Sequence, residues 1–145
     1  GLIVDVSQTA GACDIDLSDG IVTAACFTGH KSLYGPGGTG GIVIRRDVEA
    51  RPFITGGTRH TFEKEQPPEI PSVFEAGTAN VAGIAGLSAA VELILKTGIS
   101  AVLAHQQALA DVFLPAVANI PGIRLYGAFF RPSGRVYSLN YTRRP

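Results

Sequence analysis

Lys31 follows an apolar run directly, in Phe27-Thr28-Gly29-His30-Lys31, and precedes the glycine-rich stretch Tyr34-Gly35-Pro36-Gly37-Gly38-Thr39-Gly40-Gly41. In open α/β sheets, ligands bind beyond the carboxyl ends of strands, so a lysine at this place faces the expected site. A lysine amine that loses its proton in a partly desolvated setting attacks a carbonyl carbon and forms a Schiff base. Asp5 ends the first apolar run in the corresponding position, with Gln8 three residues later. A buried carboxylate needs a positive or hydrogen-bonding partner, and no basic residue lies near Asp5 in the sequence. The protonated ring nitrogen of a cofactor answers that need.

Pyridoxal phosphate requires this set of parts: a lysine for its aldehyde, an acidic group on its pyridinium proton, and small hydroxyl or backbone donors for its phosphate. Thr28, Gly29 and His30 are placed to supply the last of these. Each residue taken singly has a plainer reading: a solvated lysine, a strand-end aspartate, a buried and satisfied histidine. Their joint order and spacing favour the cofactor. The glycines from Gly35 to Gly41 lack the Gly-Lys-Ser/Thr ending of a nucleotide phosphate loop, so they read as tight turns and close backbone approach.

The elements that must position these groups are short. Leu2 to Val6, Ile21 to Phe27 and Ile42 to Arg45 read as strands, rich in Val and Ile and bounded by Gly, Asp or Thr. A continuous apolar start such as Leu2-Ile3-Val4 is the pattern of a parallel strand buried on both faces. Cys13 to Gly20 reads as a loop or single helical turn. From Arg51 to Ala79 the chain has several prolines and no periodicity, the pattern of a long functional loop. Ile84, Leu87, Val91 and Ile94 then recur at helical spacing, with Asn80 as cap and Gly98 as stop. A second helix is expected after Ser100, with Val102, Leu109, Phe113 and Val117 on its apolar face and Pro115 kinking or shortening it. Two strands, Gly122 to Tyr126 and Val136 to Tyr141, are expected around a turn at Pro132 to Gly134.

Of the 145 residues 46% are hydrophobic and 17% charged, with twelve basic and twelve acidic side chains. That balance argues against a nucleic-acid surface or a polybasic membrane patch. No apolar run is expected to reach the length that spans a bilayer. Cys13 and Cys26 lack metal-ligand spacing and read as reduced thiols, which makes a cytoplasmic setting the expectation. The chain contains no methionine and opens within a strand, and three strands make a small sheet for this class. A part of a larger protein is therefore expected.

Three stretches carry a family resemblance: Val4-Asp5-Val6-Ser7-Gln8-Thr9-Ala10-Gly11, Phe27-Thr28-Gly29-His30-Lys31-Ser32-Leu33-Tyr34-Gly35-Pro36, and Phe74-Glu75-Ala76-Gly77-Thr78-Ala79-Asn80. In order and separation the chain resembles the class V aminotransferase family of pyridoxal-phosphate enzymes, most closely its cysteine desulfurase and selenocysteine lyase branch. The likeness is strong to about Leu87 and weaker beyond it. It implies the α/β fold of fold-type I pyridoxal-phosphate enzymes, with residues 1–79 in the latter half of the cofactor domain. Residues 80–98 would be a connecting helix, and 99–145 the start of a small α+β domain.

The resemblance also implies roles. Lys31 would form the Schiff base with pyridoxal 5'-phosphate, Asp5 would pair with its ring nitrogen, Gln8 would bond its phenolic oxygen, and Thr28 and His30 would hold its phosphate. Thr78 would reach the phosphate in a partner subunit, which implies a homodimer, with the Gly56-Gly57-Thr58 loop beside it. The substrate would be a small amino acid, cysteine or selenocysteine, with a sulfur-acceptor protein as a further partner. The family's stacking group and phosphate loop precede the first strand seen here, and its reactive cysteine and substrate arginine lie in the C-terminal lobe. Neither Cys13 nor Cys26 matches that cysteine, and none of Arg131, Arg135, Arg143 and Arg144 is identifiable as that arginine. The 145 residues alone are expected to be inactive and to bind the cofactor weakly. The alternatives are another class V reaction, such as transamination, or a non-catalytic packing or dimerisation module.

Overall fold

The computed structural model describes residues 1–57, 66–126 and 137–142. The chain divides into two units, Gly1–Lys96 and Thr97–Pro145.

The first unit is built on three strands: β1 (Leu2–Asp5), β2 (Val22–Thr28) and β3 (Gly40–Ile44). Their order is β1-β2-β3, with β1 parallel and β3 antiparallel to the central β2. The central strand is covered on both faces, because Ala24 and Ala25 point to opposite sides and both are buried. The first strand departs from expectation: Ile3 is 70% exposed. It is an edge strand paired on one side among the described residues, so the packing that its apolar run is suited to is not supplied on the other.

Two helical turns follow β1 at once, with Ala10 N–H donating to Val6 O at 2.7 Å and Cys13 N–H to Thr9 O at 2.8 Å. The acidic stretch beyond is a loop stiffened by its own aspartates: Asp16 accepts from Ser18 N–H and Asp19 from Ile21 N–H.

The long segment after β3 contains one short 3-10 turn, Ser72–Phe74, preceded by a cis Ile70–Pro71 bond. Within it Val73 is fully buried. Helix α1 (Val81–Thr97) begins where Asn80 predicts, since Asn80 Oδ1 accepts from Gly83 N–H at 3.0 Å. It ends before Gly98, whose φ of 85° a side chain would resist.

In the second unit α2 (Ile99–Ala118) starts two residues earlier than expected. Pro115 does not end it; the helix runs three residues further, and Asn119 Nδ2 donates to Pro115 O at 2.9 Å. Of the expected apolar face, Val117 is buried while Leu109 and Phe113 are exposed. By length and composition alone α2 is apolar enough to cross a membrane, which corrects the expectation that no run approaches that length. Gln106, Gln107 and Asp111 stand in its middle, with Gln107 Nε2 donating to Asp111 Oδ1. Strands β4 (Ile123–Tyr126) and β5 (Ser138–Tyr141) pair antiparallel, with Ile123 opposite Tyr141. The expected turn at Pro132 to Gly134 and the four arginines Arg131, Arg135, Arg143 and Arg144 lie outside the described residues.

Candidate functional site

Parallel pairing sends the carboxyl ends of β1 and β2 to the same side of the sheet, with Asp5 in register with Cys26 and Thr28 two residues beyond. The segments that continue from these ends pack on each other. Gly11, at φ 82°, has no room for a side chain, because a Cβ there would collide with the carbonyl of Ser32. That close approach brings the Asp5–Gly11 segment against the Lys31 turn.

The Lys31 turn is closed by its own backbone. Gly35 N–H donates to Gly29 O at 2.8 Å, Tyr34 N–H to Lys31 O at 3.0 Å, and Tyr34 takes a φ of 58°. Helix α1 supports it from one side: Leu87 Cδ1 fills the space a Cβ would need at Gly35, and Pro36 Cγ does the same at Gly86. The strand ends at Thr28, Gly29 is buried, and His30 and Lys31 are exposed. Lys31 is thus carried clear of the packed layer rather than partly desolvated as its sequence position suggested.

Asp5 is exposed as well, which corrects its reading as a buried carboxylate in want of a partner. Its partner is Ser7, whose backbone N–H donates to Oδ1 at 2.8 Å. The Ser7 hydroxyl and then this backbone bond hold the Asp5 carboxyl below its ordinary 3.8, and the positive charge of Lys31 acts in the same direction. Ser7 is itself buried. Aspartate followed two residues later by serine was the available signal for this Asx-type turn.

Thr28 is distinctive: its Oγ1 is buried and has no hydrogen-bond partner. A buried hydroxyl is normally paired, so an orphan at the carboxyl end of a strand marks a place where a ligand oxygen fits. Gly29 is not available as a backbone donor to a ligand, because its N–H is committed to Thr39 O at 2.8 Å. Gln8 is exposed on the turn after β1. Thr78 is exposed in the loop before α1, and nothing described links it to Lys31 or Asp5. Gly56 lies against that loop, since a Cβ on it would stand 3.1 Å from Gly77 N; Thr58 lies outside the described residues.

The described residues fit pyridoxal phosphate in chemical type: an amine at Lys31, an anion at Asp5, an amide at Gln8 and an unpartnered hydroxyl at Thr28. Among the described residues there is no cluster of His, Cys, Asp and Glu that holds a metal ion. The second unit carries an apolar groove of about 710 Å³ beside α2, lined by Leu109, Val112, Phe113 and Tyr137, and none of the sequence-derived candidates lies on it.

Comparison with known proteins shows the family and the fold. The model of the family Aminotransferase class-V matches residues 1–143. A probable cysteine desulfurase of Mycobacterium leprae is 35% identical over 131 residues, covering 87% of this chain and 21% of the relative. One from Methanothermobacter thermautotrophicus is 33% identical, covering 86% of this chain and 32% of the relative. The crystal structure of the cysteine desulfurase CsdA from Escherichia coli matches with a TM-score of 0.77 and 30% identity, over 96% of this chain and 35% of that one. The chain therefore spans about a fifth to a third of the length of the proteins it resembles.

Proposed function

The chain belongs to the class V aminotransferase family, and on that footing we propose that it forms the lysine-bearing part of a pyridoxal-phosphate-dependent cysteine desulfurase. The observation that carries the cofactor reading is the orphaned Thr28 hydroxyl, buried at the end of the strand whose parallel neighbour ends in Asp5. The choice of branch is supported by the cysteine desulfurases among its relatives.

Pyridoxal phosphate, when bound, supplies an aldehyde that condenses with amines and a ring that accepts electrons from the substrate α-carbon. Lys31 Nζ would hold the aldehyde carbon, and its amine is the group that would take and return a proton at the substrate α-carbon. Asp5, held anionic by Ser7, keeps the ring nitrogen protonated. Gln8 donates to the phenolic oxygen. Thr28 and His30 donate to the phosphate, whose near-double negative charge suits a hydroxyl and a ring N–H. Thr78, exposed after Gly77, is read as the hydroxyl offered to a partner subunit, which makes the assembly a homodimer. The substrate is cysteine, the products are alanine and enzyme-held sulfur, and a sulfur-acceptor protein is the partner. Two free cysteines suit a reducing, cytoplasmic setting.

The test uses the full-length protein that contains this chain. Loaded with pyridoxal phosphate, it is expected to release alanine from L-cysteine and to carry a visible absorbance band that disappears, together with turnover, in Lys31→Ala. A band that survives in Lys31→Ala, or alanine release that does, refutes the assignment.

A further inference from the structure

Gln66 is a polar side chain buried to 8% exposure in the irregular segment between β3 and α1. A primary amide has two N–H donors and an acceptor oxygen, and burial requires that they be used. They are. Nε2 donates to Ser72 O at 2.7 Å and to Glu75 O at 2.9 Å, and Oε1 accepts from Gly56 N–H at 3.4 Å. One side chain thus grips both ends of the 3-10 turn and, across the segment, the glycine loop at Gly56.

Both attachments lead to the same place. Glu75 is three residues from Thr78, and Gly56 lies against the backbone of Ala76 and Gly77, with 3.1 Å between the Cβ position of Gly56 and Gly77 N. The turn below is secured on fully buried Val73, whose N–H donates to Glu69 O at 2.9 Å. Glutamate in place of Gln66 would set a carboxylate against two carbonyl oxygens, and leucine would leave the Glu75 carbonyl without this donor. The amide is the group this junction calls for.

We infer that Gln66 is a positioning residue for Thr78: through Glu75 on one side and Gly56 on the other, it sets where the Thr78 hydroxyl stands. This rests on the reading of Thr78 as a phosphate contact. The Gln66 amide is committed to Gly56, Ser72 and Glu75, so its effect is on how tightly the phosphate is held.

The experiment measures the pyridoxal phosphate dissociation constant of the full-length protein, its Lys31-dependent absorbance at saturating cofactor, and its melting temperature. Gln66→Leu is expected to weaken cofactor binding about tenfold, as the loss of a buried amide's bonds permits, while kcat and the absorbance at saturation stay at wild-type values. Adding Thr78→Val to Gln66→Leu is expected to cost little more than either alone, because both act on one contact. Val117→Ala, at a buried position on α2 outside this segment, is the control, expected to lower the melting temperature without moving the constant. Unchanged cofactor affinity in a folded Gln66→Leu, or strictly additive effects with Thr78→Val, overturns the inference. Gln66→Glu and Gly56→Ala are read on the same scale where the leucine variant does not fold, and wild-type affinity in either overturns it equally. Lack of the Lys31-dependent band in the wild-type protein defeats the functional reading itself, whereas a normal band with indifferent Gln66 variants defeats this inference alone.

Discussion

The backbone N–H of Ser7 lies 2.8 Å from Oδ1 of Asp5 and donates to it, so the carboxylate at the end of β1 is held as an anion by its own chain two residues further on. The arrangement needs no basic neighbour. It also fixes the direction of the pH response.

Asp5 has its pKa lowered from 3.8 in the folded protein, first by the Ser7 hydroxyl and then by the Ser7 backbone. The unfolded chain therefore binds the proton more readily, and the stabilisation that comes with this pairing is fully present above the unfolded value and fades as pH falls through the folded one. Ser7→Ala removes the larger cause and keeps the backbone bond. Its Asp5 titration, followed by carboxyl carbon NMR, should move up toward 3.8 without reaching it. A titration that does not move means that the hydroxyl is not what holds the anion.

Thr28→Val separates a structural threonine from a ligand-holding one. The Thr28 hydroxyl has no partner, so replacing it with a methyl of nearly the same shape removes no bond and relieves a desolvated oxygen. Stability of the cofactor-free full-length protein in urea should stay the same or rise by about 1 kcal/mol. Affinity for pyridoxal phosphate should fall in the same variant. Lower stability with unaltered affinity would assign Thr28 to packing.

Gly11→Ala tests the contact between the Asp5 segment and the Lys31 turn. A Cβ on Gly11 meets the Ser32 carbonyl, and its φ of 82° is unfavourable for alanine. The cost expected in chemical denaturation is more than about 1 kcal/mol, the scale for alanine at an incompatible φ. The Lys31-dependent absorbance should weaken with it, since the Lys31 turn must give way. An alanine variant as stable as the parent would mean that the turn yields freely and that Gly11 does not set its position.

Much of the frame was legible in the residues. Val and Ile runs between glycines and aspartates marked β1, β2 and β3 to within two residues, because pleated geometry suits branched side chains wherever it occurs. Asn80 announced the start of α1 because a cap bonds a backbone N–H three residues on, a distance wholly local to the chain. Pro115 is expected to kink or shorten α2, and the helix continues past it to Ala118, since a proline near a helix end forfeits one bond that the neighbouring turn, tied by Asn119, outweighs. The apolar pattern of β1 promised burial that this chain does not supply, because burial depends on what lies opposite and not on the strand itself.

The residue types of the site, an amine at Lys31, a carboxylate at Asp5, an amide at Gln8, a hydroxyl at Thr28, a ring at His30 and a hydroxyl at Thr78, were determined by the order of amino acids alone, as was the chemistry they suit. Their environments were decided by folding. That Lys31 is exposed, that Thr28 is orphaned, that Gly29 spends its N–H on Thr39 and that Gln66 ties Gly56 to Glu75 all depend on contacts between residues nine or more positions apart or on the cover laid over them. A side chain's chemical type is a property of its residue, whereas its burial and its partners are properties of the neighbours that the tertiary fold brings to it.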